Sequence, residues 1–162
     1  MSGRYFLGVD PGISGGIALI GASNGLAGES YETFKLKDAT ERDVWDWFER
    51  MPRPIVFARI EKVGATPQMG VVSAFTFGRN FGFLRGVLIA SRIAFDEISP
   101  QKWQKFMGCL THGDKNVSKA KAQQLFPSVK ITHANADALL LAEYARRTYV
   151  RNDMPIATAS EV

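Results

Sequence analysis

A chain of 162 residues, 46% hydrophobic and 22% charged, has the make-up of one ordinary globular domain with enough length to bury a core. Its net charge of +4 suits a polyanionic partner without requiring one. Cys109 is the only cysteine, which excludes an intrachain disulfide and argues against a zinc cage. The apolar N-terminal run is too short for a signal core or a membrane span before Asp10 interrupts it, so a soluble, cytoplasmic protein with no membrane association is expected.

Arg4 to Val9 is a β-prone run that carries Asp10 into an abrupt Pro11-Gly12 turn. Ile13 to Ile20 is β-prone again and leaves no room for a helix, which predicts an antiparallel hairpin with Asp10 on a central strand near the sheet rim. Asn24-Gly25 signals a further turn, and Ser30 to Leu36 alternates as a third strand. Thr40, with Asp43 three positions on, starts a helix whose buried side is Val44, Trp45, Trp47 and Phe48. Met51-Pro52-Arg53-Pro54 ends it. Ile55 to Glu61 lacks helical period and reads as a buried strand parallel to the first.

After Thr66-Pro67 a helix is expected from about Gly70 to Ala90, and Gly78, Gly82 and Gly86 at four-residue spacing predict one face packed tightly on the sheet. Ile93 to Ile98 reads as the last strand, and Ser99-Pro100 opens a helix. Thr111 to Asn116 reads as a polar loop, Ser118 to Phe126 as a short helix stopped by Pro127, and Ala134 to about Tyr149 as the final helix. The expected architecture is α/β, a mixed five-stranded sheet flanked by helices, in one domain over 1–151 with a flexible tail at 152–162.

Asp10 and Glu61 each end a predicted strand, and the usual crossover between parallel strands would put them on one rim. Asp137 interrupts the apolar run Ala134 to Ala142. Each has an ordinary explanation: Asp10 closes a turn on its own main chain, and Asp137 favours the macrodipole in a helix's first turn. Together the acids fit a hard-cation site, because Mg²⁺ prefers carboxylate and water oxygens and needs few protein ligands when phosphate supplies others. His133, four residues before Asp137, is a ligand, a base for a water, or an exposed loop histidine.

Gly8-Val9-Asp10-Pro11-Gly12, Ile60-Glu61-Lys62-Val63, the Phe77 to Gly82 stretch and the run from Ala136 to Tyr144 resemble, as an ordered set, the RuvC-type Holliday junction resolvases. The likeness is to the bacteriophage branch and the related chloroplast resolvase, and it spans about residues 4 to 149. The resemblance implies a ribonuclease H-like fold and a homodimer. It also implies a crossover junction endodeoxyribonuclease making symmetric paired nicks in four-way DNA junctions, with two Mg²⁺ ions per active site and Mn²⁺ as a substitute. A phage origin would place the protein in the host cytoplasm.

By position, Asp10, Glu61 and Asp137 match the family's metal-binding acids. The family usually carries another acid shortly before the last one, where this chain reads Thr132-His133-Ala134-Asn135-Ala136-Asp137, so His133 is the candidate fourth ligand. Imidazole is softer than carboxylate and would shift preference toward Mn²⁺. Lys115 and Lys119 are candidate phosphate contacts, although a cluster such as theirs with Lys121 is more often a solvated helix face, and Lys62, directly after Glu61, is a similar candidate. Gln68, Met69, Phe75, Phe77, Arg79 and Phe81 lie where the family has its dimer helix and junction-probing loop. Helical spacing favours core or dimer for Phe77 and Phe81, while Met69, Phe75 and Arg79 are candidates for contact with distorted DNA. Two neighbouring readings stay open: a broader nuclease for forks and flaps, and a junction-binding protein with weak or no cleavage. The absence of a fourth acid supports the second.

Overall fold

The computed structural model describes residues 4–22 and 29–153; the expected Asn24-Gly25 turn and the tail from 154 onward lie outside the described residues. Five strands form one sheet in the order β3-β2-β1-β4-β5. β1 (Arg4–Asp10), β2 (Gly16–Ala22) and β3 (Ser30–Lys35) make an antiparallel meander, and β4 (Ile55–Glu61) and β5 (Phe95–Ile98) add in parallel on the other side of β1. The expected α/β architecture with a mixed five-stranded sheet is the one found. The helices α1 (Glu41–Arg50), α2 (Val71–Ala90), α3 (Pro100–Met107), α4 (Lys115–Leu125) and α5 (His133–Asp153) cover it.

Alternation along the strands sorts side chains into two layers. Leu7, Val9, Ile17, Leu19, Ala58 and Ile60 pack with Val44, Trp47 and Phe48 of α1 and Leu84, Val87 and Leu88 of α2. On the opposite face Ala18 and Ile20 join Trp103 and Met107 of α3, Ala122 of α4 and the Leu139 to Ala142 run of α5. A central strand covered on both faces must be apolar in nearly every position, which is why β1 reads as a continuous run.

The tight helix-to-sheet contact is made by α5. A Cβ on Gly8 would lie 2.0 Å from the carbonyl oxygen of Ala138 and 2.3 Å from the nitrogen of Ala142, and one on Gly16 would lie 2.4 Å from the carbonyl oxygen of Ala134. Ala134, Ala138 and Ala142, at four-residue spacing, therefore form the small-residue face that lets α5 lie against bare backbone. The glycine row of α2, expected to do this, does not: a Cβ on Gly78, Gly82 or Gly86 would meet nothing within 4 Å. In α2 the bulky Leu84, Val87 and Leu88 take the sheet side, leaving the glycines outward.

Helix ends differ from expectation for local reasons. Thr40 and Asp43 form the reciprocal capping box that the sequence predicted. α4 begins at Lys115 rather than Ser118 because the Asp114 carboxylate accepts from the Asn116 N–H at 2.9 Å and caps it. α5 begins at His133, and Asn152 and Asp153, expected in the tail, complete it. β5 is shorter than expected because the chain leaves α2 through Arg92 at positive φ.

Candidate active site

Strand register brings Asp10 and Glu61 to one face of one rim. β1 and β4 pair Val9 with Ile60, so the two acids follow side by side as the strands end. This depends on a slip lower in the ladder, where Tyr5 pairs with Ile55 but Phe6 pairs with Phe57. Continued without the slip, Asp10 would stand beside Ile60 and Glu61 would face the other layer. As built, Glu61 shares its face with Phe57, which meets Tyr149 of α5, and Arg59, which donates to the Thr148 hydroxyl at 3.2 Å. α5 crosses this face on the Gly8 contact, bringing Asp137 over the rim.

Asp10 is 6% exposed, and its Oδ1 accepts from the Gly12 N–H at 3.1 Å, so the ordinary turn role is present together with deep burial. Gly15 makes room for the carboxylate: a Cβ there would lie 2.7 Å from Asp10 Cγ. Burial raises the Asp10 pKa; the Gly12 hydrogen bond opposes this, the negative charge of Asp137 adds to it, and Lys115 lowers it. Glu61 is pushed up to about 7, chiefly by burial and then by the charge of Asp10, against the Trp103 N–H, which donates to Oε1 at 2.9 Å.

The Asp137 side chain has no hydrogen bond or ion pair among the described residues, and its Oδ1 is buried without a partner. Its expected macrodipole role does not hold: α5 starts at His133 and has no acid in its first turn. Asp137 lies beyond the turn over which that effect acts. Among the described residues, Oδ2 of Asp10 and Oε2 of Glu61 likewise have no hydrogen-bond partner. Three converging carboxylates with open oxygens form a hard-oxygen donor set that suits a divalent cation. Among the described residues no three His, Cys, Asp or Glu side chains are already drawn tightly enough to grip an ion by themselves. A Mg²⁺ site needs only one or two carboxylates with water and phosphate, so the looser spacing still fits that ion.

The other predicted residues divide by distance from these acids. Lys115, exposed at the start of α4, is the cation whose charge reaches both Asp10 and Glu61. Lys119 follows one turn later and is half-buried, and Lys62 is exposed directly after Glu61, its main-chain N–H donating to Ile98 at 2.8 Å. His133 is exposed one turn before Asp137 on the same side of α5. Phe75 and Arg79 lie on α2, whose buried side packs in the layer opposite α5, and Met69 lies in the approach to that helix. Arg79 lines a groove with Ile13, Lys37 and Phe83. Asp114 is a helix cap, and Glu143 is a buried partner of Arg146 and Arg147 at 2.7 and 2.6 Å.

Three contributors escaped the sequence reading. Trp103 carried no sequence signal beyond its place in the helix that Ser99-Pro100 opens. The ladder slip has no local signature. Asn135 fixes the start of α5, its Oδ1 accepting from Thr132 N–H at 2.8 Å and its amide donating to the Lys130 carbonyl at 3.0 Å. The Thr132-x-x-Asn135 spacing, close to a capping box, was the signal for it.

No protein-family model matches the chain, and no curated protein sequence matches it. Among solved structures it is similar to Thermus thermophilus RuvC in complex with a Holliday junction substrate, with a TM-score of 0.64 and 16% identity over 92% of this chain and 96% of that one. A second structure of Thermus thermophilus RuvC gives a TM-score of 0.57 at 16% identity, over 91% of this chain and 96% of that one. The chain has the ribonuclease H-like fold of RuvC.

Proposed function

We propose that this chain is a metal-dependent, structure-specific DNA endonuclease that resolves four-way junctions by symmetric paired nicks. One observation carries the reading: Asp10, Glu61 and Asp137 converge on the sheet rim, each with an oxygen that has no hydrogen-bond partner among the described residues. The RuvC-like fold supports it.

Asp10, Glu61 and Asp137 would hold two Mg²⁺ ions, or Mn²⁺, with His133 one turn away as a further donor. Divalent ions held by these residues would supply activation of water at neutral pH and neutralisation of phosphate charge. The chain's own work is positional. The Asp10 turn and the β4 ladder hold two carboxylates on rigid strand ends, and α5 holds the third. Lys115 sets a positive charge beside them for the phosphate, and Lys62 and Lys119 extend the backbone contact. Met69 and Arg79, on α2 and its approach, contact DNA away from the cut phosphate, while Phe75 stays with the exposed stripe of that helix.

The test is cleavage of a labelled immobile four-way junction, with duplex and fork controls, by the native protein and by Asp10→Asn, in Mg²⁺ and separately in Mn²⁺. Paired symmetric nicks that vanish in the variant are expected. Equal cutting of forks would replace this reading with a broader branched-DNA nuclease. Tight junction binding without cuts in either metal would replace it with a junction-binding protein.

A further inference from the structure

Trp103 sits on α3, fully buried, yet its one polar atom is engaged with the candidate active site. Filling apolar space needs no indole, since a phenyl ring does so without a donor to satisfy. The Nε1–H is a donor with no acceptor capacity, so burying it requires an oxygen at a fixed place. Here that oxygen is Oε1 of Glu61 at 2.9 Å. The helix carrying it is closed at both ends, by Pro100 in its first turn and by Gly108 in the left-handed conformation at φ 67°. The Trp103 main-chain N–H also donates to Ser99 at 3.3 Å. Glu61 thus has one oxygen held and Oε2 open among the described residues.

We propose that Trp103 is a positioning residue for the cation site, its indole holding Oε1 of Glu61 so that Oε2 is the oxygen offered to the ion. The proposal rests on the metal-dependent nuclease reading above. The terminal torsion of Glu is broad, and the neighbouring Asp10 charge repels an ionised carboxylate, so without the N–H the side chain has no reason to keep one orientation. An outer hydrogen bond of this kind typically contributes roughly 10–100-fold in metal affinity.

Two measurements on the full chain, neither of them activity, test it. In ¹⁵N-labelled native protein titrated with Mg²⁺, the Trp103 indole N–H resonance, assigned by its loss in Trp103→Phe, shifts with saturation, while those of Trp45 and Trp47 on α1 stay in place. In calorimetric titration with Mn²⁺, Trp103→Phe binds at least roughly tenfold more weakly than the native protein. An indole resonance unmoved while the ion binds, or native Mn²⁺ affinity in a folded Trp103→Phe, overturns the proposal. Should Trp103→Phe fail to fold, the native indole titration decides alone, the resonance then being assigned as the one absent from Trp45→Phe and Trp47→Phe difference spectra. A native protein that binds neither ion overturns the nuclease reading as well, and its flat calorimetric trace separates that result from the others.

Discussion

Glu61 shows what the site does to stability as well as to chemistry. Its pKa of about 7, against an ordinary 4.5, means the folded chain takes up a proton more readily than the unfolded one. The stabilisation from that proton is fully present below about pH 4.5 and is lost as pH rises through 7. Glu61→Gln keeps an acceptor for Trp103 but cannot ionise. In chelator, its unfolding free energy should match that of the native protein near pH 4.5 and exceed it increasingly toward pH 8, by an amount on the order of 2–3 kcal/mol. Saturating Mg²⁺ should reverse the order at pH 8, because the ion compensates the charge in the native site and finds less to bind in the variant. Parallel pH profiles in chelator would mean that the Glu61 carboxylate is not under the strain its surroundings imply. Asp10 is shifted in the same direction, mainly by burial, so Asp10→Asn should show the same sign.

At the scale of elements, placement of the acids depends on how closely α5 lies on β1. Gly8→Ala would put a methyl carbon 2.0 Å from one α5 backbone atom and 2.3 Å from another, and helix backbone cannot yield as a flexible side chain can. The substitution should cost at least about 3 kcal/mol in urea unfolding, and any folded fraction should lose junction cleavage because Asp137 is lifted from the rim. A loss below about 1 kcal/mol would show that α5 does not press on the strand. This contact also marks where the sequence was legible and where it was not. The β1–β2 hairpin, the Thr40 cap and the strand over Ile55 to Glu61 follow from local chemistry, and so were readable, although of that strand only Ala58 and Ile60 are fully buried rather than the whole run. Asp10 and Glu61 could be assigned to strand ends for the same reason. Which helix packs closely could not be settled by small-residue spacing, since α2 and α5 both have it; the decision lies with the bulky residues on the remaining face. The Tyr5/Phe6 slip that aligns the two acids belongs to two strands at once, and no window of a single strand reveals it.

For the whole molecule, the unexplained surface is the outer face of α2. Val71, Phe75, Gly78, Gly82, Gly86 and Ile89 recur at three- and four-residue steps and so share one stripe. Val71 is 86% exposed, Phe75 72% and Ile89 62%, and the three glycines between them meet nothing. An apolar stripe left open to water along a helix of 20 residues is a surface of the kind that interfaces cover, and bare backbone in its middle would allow a second helix to approach closely. We propose a second copy of the same chain as its occupant, because a two-fold axis across the stripe would match apolar ends to apolar ends and glycine to glycine. It would also set two active sites on one junction, the arrangement paired nicks require. The protein should therefore sediment as a dimer, and its melting temperature should rise with concentration. Phe75→Glu combined with Val71→Glu, both outward and away from the core, should give a folded monomer that still binds Mn²⁺ but leaves junctions nicked on one strand. A native protein that stays monomeric at high concentration, or a double variant that sediments as the native protein does, would remove α2 as the interface and leave the paired cut without a structural basis.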